Sequence, residues 1–218
     1  MAKSPSRVPL PPLAPARPHR LEHHGDVRID DYWWLREKES EEVLEHLRAE
    51  NRYTDAMMRP SSPFQRSLYR EMVSRIKETD MGVPYREGGW LYYSRTTKGR
   101  QYPTYCRKPG SMQAKEQIVL DMNRLATGQA YLGLGVLDVS PDGNLLAFST
   151  DFSGFREYTL KVKDLRSGEV MPLEIARARS VAWSADSSVL FYVTEDDAKR
   201  ACRVWRHALG TDEHVLLY

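Results

Sequence analysis

Five side chains able to bind a cation crowd one short stretch: His23, His24, Asp26, Asp30 and Asp31. Their spacing follows neither a calcium loop nor a zinc ligand set. Solvated or paired charges describe them better, with the adjacent Tyr32, Trp33 and Trp34 as aromatic anchors that dock this segment onto another domain. A serine hydrolase of the α/β class needs Gly-x-Ser-x-Gly, where a strained turn exposes the nucleophile. No serine here has glycine two positions before and two after it, and the six histidines are scattered without a paired nucleophile. Gly133-Leu134-Gly135 lacks the third glycine of a dinucleotide fingerprint, and there is no phosphate-binding loop. Arg107 and Arg206 hold equivalent strand-end positions; an anion site is conceivable there, but a solvated rim is the expectation. Cys106 and Cys202 form no paired motif and read as free thiols of a reducing compartment. No catalytic, cofactor-binding or metal-binding residue is therefore assigned, and no cofactor is expected.

The stretch that organises the chain is Leu137–Ser149, two apolar runs around the turn Ser140-Pro141-Asp142-Gly143. Pro141 presets φ, Asp142 can bond its own backbone and Gly143 tolerates positive φ, so a bulged hairpin is predicted. The design returns at Val181–Val193, where Trp183, Asp186 and Tyr192 each stand 44 positions after Val139, Asp142 and Phe148. A shift of 55 places Tyr93 on Phe148 and Tyr105 on Leu160. Three repeats result, at about 83–121, 132–173 and 180–218. A period in the forties with about four short strands per unit marks a β-propeller blade. The predicted fold is mainly β: about three four-stranded antiparallel blades, with about 12 strands, after a two-helix N-terminal extension. Three blades cannot close a ring of about four to eight, so the chain reads as truncated.

Three regions are expected. Residues 1–20 hold six prolines, four basic residues and no acid, and read as a disordered tail without the apolar run of a signal peptide. Residues 21–82 carry two helices. Ser40 caps the first, with Glu41 and Glu42 in its first turn; Ser62, Pro63 and Gln65 punctuate the second as a capping box. Phe64, Leu68, Met72 and Ile76 line one face of it, a packing stripe rather than a cofactor box. Residues 83–218 form the incomplete propeller. Beyond the tail the charge falls to −2, from 28 basic and 30 acidic residues, without the clustered basic patch of a nucleic-acid binder. No apolar run approaches the roughly 20 residues of a membrane span.

The chain resembles the N-terminal part of the oligopeptidase B branch of the prolyl oligopeptidase family, over about residues 19–218. The most specific stretch is His24-Gly25-Asp26-x-Arg28-x-Asp30-x-Tyr32-x-Trp34-Leu35-Arg36, followed by Val43-Leu44 and Ala49-Glu50-Asn51. Pro141-Asp142-Gly143, Asp151 and Glu157-Tyr158 also fit. The resemblance implies a cytosolic serine endopeptidase that cuts short peptides after Arg or Lys, with a propeller of about seven blades capping an α/β-hydrolase domain. The implied nucleophile, base, acid and acidic specificity pocket have no counterparts in these residues. The implied partners are that catalytic domain and short basic peptides, with neither nucleic acid nor membrane. The propeller's implied role is exclusion: a narrow channel and hinged closure admit short peptides and bar folded proteins. The loop Asp151–Glu157 would contribute polar contacts at the hinge, or serve only as an inter-strand loop. The competing expectation is a stand-alone interaction module or a non-functional fragment, which leaves His24–Arg36 unexplained.

Overall fold

The computed structural model describes residues 9–218, so most of the first half of the expected tail lies outside the described residues. The chain divides into two compact units, one up to Ile76 and the other Lys77–Tyr218.

The first unit opens with a feature the sequence reading missed. β1 (His19–His23) and β2 (Asp26–Asp30) pair antiparallel, from His19 opposite Asp30 to His23 opposite Asp26. The two residues between them, His24 and Gly25, both take positive φ, which gives the twist a two-residue hairpin needs. The strand therefore starts inside the region expected to be disordered, and Arg17 just before it is fixed by its amide to the Asp31 carbonyl and by its guanidinium to Glu42. A single 3-10 turn follows at Trp33–Arg36, then α1 (Glu41–Met58) and α2 (Ser62–Ser74), joined by a second 3-10 turn. Ser40 stands at the start of α1 as expected, but its side chain makes no capping bond; its carbonyl accepts from Leu44. The cap of α2 is shifted by one. Ser61 precedes the helix, and Gln65 reaches back to the Ser61 hydroxyl at 2.7 Å, so Ser62 lies inside.

The second unit carries twelve strands in three four-stranded sheets, each a simple antiparallel meander, as the repeat predicts. Blade one is β3 (Tyr85–Glu87), β4 (Trp90–Arg95), β5 (Thr104–Pro109) and β6 (Gln117–Asp121). Blade two is β7 (Gly133–Val139), β8 (Leu145–Asp151), β9 (Thr159–Asp164) and β10 (Val170–Ala176). Blade three is β11 (Ala178–Trp183), β12 (Val189–Glu195), β13 (Ala201–Ala208) and β14 (His214–Leu216). A short helix, α3 (Met122–Leu125), leaves blade one. Asp121 caps it by accepting from the amides of Asn123 and Arg124.

Burial shows how the sheets stack. Six consecutive residues of β8, Leu146–Asp151, are buried, so both faces of blade two are covered. In β12 burial alternates through Leu190 and Tyr192, the half-covered pattern of a sheet with one neighbour. Two apolar clusters fill the joints. Tyr92, Val119, Leu120, Leu146 and Phe148 join blades one and two; Ala147, Leu160, Val162, Leu190 and Tyr192 join blades two and three. Truncating any of the fully buried leucines among them costs about 2–5 kcal/mol.

Polar bonds pin the first joint. Arg107, buried at 2 % exposure, lays its guanidinium over Trp90 at 3.8 Å and donates to the Gly143 carbonyl at 2.6 Å in the neighbouring blade's turn. It also bonds Gln117 at 2.8 Å and the Tyr92 hydroxyl at 3.2 Å. Gln117 and Lys163 add bonds to Leu165 O and Val119 O across the same joint. Gly143 sits at φ +75°, which favours glycine, and a Cβ there would also crowd Trp90 Nε1 at 3.2 Å. In that turn Asp142 accepts from the Ser140 hydroxyl at 2.5 Å and from Asn144, and these donors hold its carboxyl down at about 2.

Arg107→Ala is expected to lower stability by on the order of 2–3 kcal/mol in urea unfolding, because three acceptors lose their donor inside the joint. An unchanged midpoint would show that the apolar cluster alone holds the blades. For Asp142 the sign follows from its depressed folded-state value against an ordinary carboxylate near 3.8. Its contribution is present above about pH 4 and is lost as pH falls towards about 2. Asp142→Asn should therefore flatten the acid limb of the stability profile over that window; an identical slope in the variant would remove Asp142 from the account.

Candidate functional site

In the stretch read as solvated or paired charges, two of the acids make local contacts. Asp26 is paired with Arg28 at 2.7 Å, and Asp30 accepts the Tyr32 amide at 2.8 Å in a local turn. Among the described residues no three His, Cys, Asp or Glu side chains come together as metal ligands. The tryptophans are held within their own unit. Trp33 stacks on His19 at 5.0 Å with Arg36 over its ring, and Trp34 donates to the Pro15 carbonyl at 3.0 Å with Arg17 over it. Tyr32 stays half exposed. The exposed apolar stripe of this unit is instead on α2, where Phe64, Leu68 and Met72 face solvent, continued by Ile76 just past the helix end. The sequence reading took that stripe for packing, yet α2 has no buried residue.

No nucleophile is armed among the described residues. The Ser140 and Ser184 hydroxyls are bonded to Asp142 and Asp186 as turn caps, and Ser149 accepts the Val136 amide at 2.8 Å. The histidines of blade three serve structure: His207 bonds the Glu213 carbonyl, and His214 bonds the Tyr192 hydroxyl at 2.8 Å. Burial pushes the Cys106 thiol up to about 11, away from the thiolate a nucleophile needs; Cys202 is exposed, and both are free. Gly135, half of the incomplete fingerprint, has a packing reason: a Cβ there would lie 2.6 Å from Ser149 Oγ and 2.8 Å from the Tyr158 ring.

What the blades do present is a set of joints and loops. Arg107 corrects the expectation of a solvated rim, since it is buried in a joint. Arg206, its counterpart in blade three, is exposed, as expected of a rim. The loop after β8 is built on Asp151, whose buried carboxylate accepts the Ser153 amide at 2.8 Å, its hydroxyl at 2.6 Å and the Arg156 amide at 2.8 Å. Burial pushes that carboxyl up, but the donors outweigh it and hold it below the ordinary range. The tip so ordered exposes Phe152 and Phe155, with Arg156 at φ +61° and Glu157 3.8 Å from Lys199 of blade three. The loop read as either an interface contact or a plain inter-strand loop is thus hydrogen-bonded at its base and aromatic at its tip. A cleft of about 210 Å³ opens between blades one and two, lined by Tyr85, Glu87, Tyr92, Leu137 and Asp138. Burial raises the Asp138 carboxyl, and Glu87 nearby adds to the effect. The sequence reading missed this cleft, because its walls come from strands some 50 residues apart.

Comparison with known proteins fits this architecture. Residues 11–217 match the family described as prolyl oligopeptidase, N-terminal beta-propeller domain. Dipeptidyl aminopeptidase BI of Pseudoxanthomonas mexicana is 42% identical over 95% of this chain and 32% of its own length. Protease 2 of Moraxella lacunata is 38% identical over 92% of this chain and 30% of its own. Oligopeptidase B from Leishmania major superposes with a TM-score of 0.85 at 32% identity, covering 96% of this chain and 32% of that one. The chain thus spans about a third of the length of the relatives it matches. Three antiparallel blades after a helical segment, matched almost end to end, place this chain in the prolyl oligopeptidase family as part of its N-terminal β-propeller domain.

Proposed function

We propose that this chain is the helical N-terminal segment and the first blades of the propeller that gates a serine oligopeptidase, one that cuts short peptides after Arg or Lys in its full-length form. The observation that carries the reading is the superposition on oligopeptidase B over nearly the whole chain. The blades act by exclusion: stacked sheets with ordered loops leave an entry for a flexible peptide and none for a folded protein. An α/β-hydrolase domain is the partner, and the solvent-facing stripe of α2 is the surface offered to it. A cytosolic setting fits the two free thiols. No helix among the described residues is long and apolar enough to cross a membrane. The 42% identical relative favours a second reading, in which the full-length enzyme releases dipeptides from a free N-terminus.

The discriminating experiment joins this chain to the remaining portion of Moraxella Protease 2 and offers two chromogenic substrates, an N-blocked arginine amide and a free dipeptidyl amide. Preferred turnover of the blocked substrate supports the first reading; a requirement for the free N-terminus supports the second. The 218-residue chain alone is expected to hydrolyse neither, because no serine among the described residues is hydrogen-bonded to a histidine, His207 and His214 being bonded to Glu213 O and Tyr192. Turnover by the chain alone that a serine-directed phosphonate blocks would overturn this. The chain alone is also expected to bind ANS and to self-associate, since Phe64, Met72, Ile76, Leu216, Leu217 and Tyr218 leave large apolar side chains in solvent. A sharp monomer peak in size exclusion with weak ANS emission would show that the chain is self-sufficient.

A further inference from the structure

The outer edge of blade three holds two histidines face to face. His207 and His214 are register partners across β13 and β14, with ring centroids 4.4 Å apart and planes 18° apart. His207 is buried at 3 % exposure, and its Nδ1 lies 3.1 Å from the Glu213 carbonyl. A carbonyl oxygen only accepts, so Nδ1 carries the proton and donates, which leaves Nε2 to take a second one. His214 places its own Nδ1 2.8 Å from the Tyr192 hydroxyl. With its proton on Nε2, neutral His214 accepts from that hydroxyl. The charged ring can only donate to it, and the hydroxyl proton then has no second acceptor among the described residues.

Little else holds that edge. β14 has three residues and pairs with β13 alone, at the edge of its sheet. The pairing is prolonged by the Leu217 amide on the Val204 carbonyl and the Val204 amide on the Tyr218 carbonyl, both at 2.8 Å. The charges nearby do not compensate a second positive ring. Asp212, in the turn, favours the charged form of His214, but burial and His207 outweigh it and set that ring below the ordinary histidine range. Glu213 contributes its carbonyl. Arg203, on the same face of β13, stands about 13 Å along the strand from His207, and its charge has the wrong sign. From β12 the pair meets Leu190 and Tyr192, and blade two turns Leu160, Val162 and Ile175 into the joint, none of them charged.

We propose that the His207–His214 stack is an acid-released latch: neutral rings hold β14 on β13, and protonation of the pair frees β14 while the two blade joints stay closed. Two imidazolium rings in face contact repel, and one of them is out of water, so the second proton enters only as the strand lifts. Freed His214 protonates at the ordinary histidine value of 6.5, and latched His214 only at lower pH. The latch is therefore complete above about pH 6.5 and is lost as pH falls below it. Release bares the backbone edge of β13, so blade three becomes an acceptor for another strand in acid. The inference rests on blade three alone and not on the peptidase reading.

Amide hydrogen exchange of the 218-residue chain, corrected for the intrinsic effect of pH, tests this at about pH 7.5 and about pH 5.5, on either side of the histidine range. The Val204 and Leu217 amides should lose protection by about tenfold or more at the lower pH, while those of Leu146–Asp151 on β8 lose none. His214→Phe keeps a ring on the stack without a titrating nitrogen, and should leave Val204 and Leu217 equally protected at both values. Equal protection of the wild-type chain at both would overturn the proposal. So would a parallel loss on β8, which is global acid unfolding, or the full acid response surviving in His214→Phe. Where that variant does not fold, the ring-proton resonances of the wild-type chain decide. His207 and His214 should titrate as a coupled pair in two steps, with the Val204 and Leu217 amides weakening alongside. Independent single-step titration of the two rings would overturn the latch.

Discussion

A four-stranded antiparallel sheet becomes stable only when an apolar face is packed away from water, and each sheet has two faces to cover. Every other property of the second unit follows from that constraint. Blade two satisfies it from both sides, which is why β8 is buried along nearly its whole length while β12 alternates. The constraint also fixes composition. Positions that meet a neighbour are mostly Leu, Val, Phe and Tyr, and the turns that must nestle against the next sheet are short, capped and in one place glycine. Arg107 answers a narrower need: the backbone carbonyl of the Asp142-Gly143 turn ends up in a water-poor joint and must find a donor.

The fold was legible because its signal is periodic. A shift of 44 or 55 residues superposes apolar alternation and turn chemistry together, and agreement between those two levels is hard to produce by chance. What escaped was local or non-periodic. The β1–β2 hairpin turns on His24 at positive φ, a conformation histidine takes less readily than glycine, so Asp26 and Arg28 were read as charge rather than as strand. The cap of α2 was misplaced by one because Ser61 and Ser62 offer the same hydroxyl, and only the chain path from α1 decides between them. The end of the tail was set too late for a similar reason: Trp34 and Glu42 hold Pro15 and Arg17 of the proline-rich segment through bonds that no local pattern encodes.

The site residues were less legible, for a different physical reason. Arg107 reads as a solvated rim residue in one dimension, since its acceptor is 36 positions away and belongs to another blade. The Glu87 and Asp138 cleft is likewise made by stacking, so neither strand announces it. The local bonds of the Ser140, Ser149 and Ser184 hydroxyls were legible only in part, since the Asx-type turns carry Ser140 and Ser184 whereas the amide that reaches Ser149 comes from the neighbouring strand. The aromatic tip after β8 lies between these cases. Asp151 and Glu157 were singled out, but the rigidity comes from three donors converging on one carboxylate, which only the folded loop reveals.

The two thiols carry a practical consequence. Cys106 is sealed at 1 % exposure and protonated at any ordinary pH, whereas Cys202 is open at the start of β13. A maleimide or nitroxide reagent at neutral pH will therefore modify one position of the native chain without mutagenesis. That position lies on blade three, within a few residues of Arg206 along the same strand. The native protein thus comes with a built-in spectroscopic reporter on blade three, and Cys106 becomes available to the same reagent only when blade one opens.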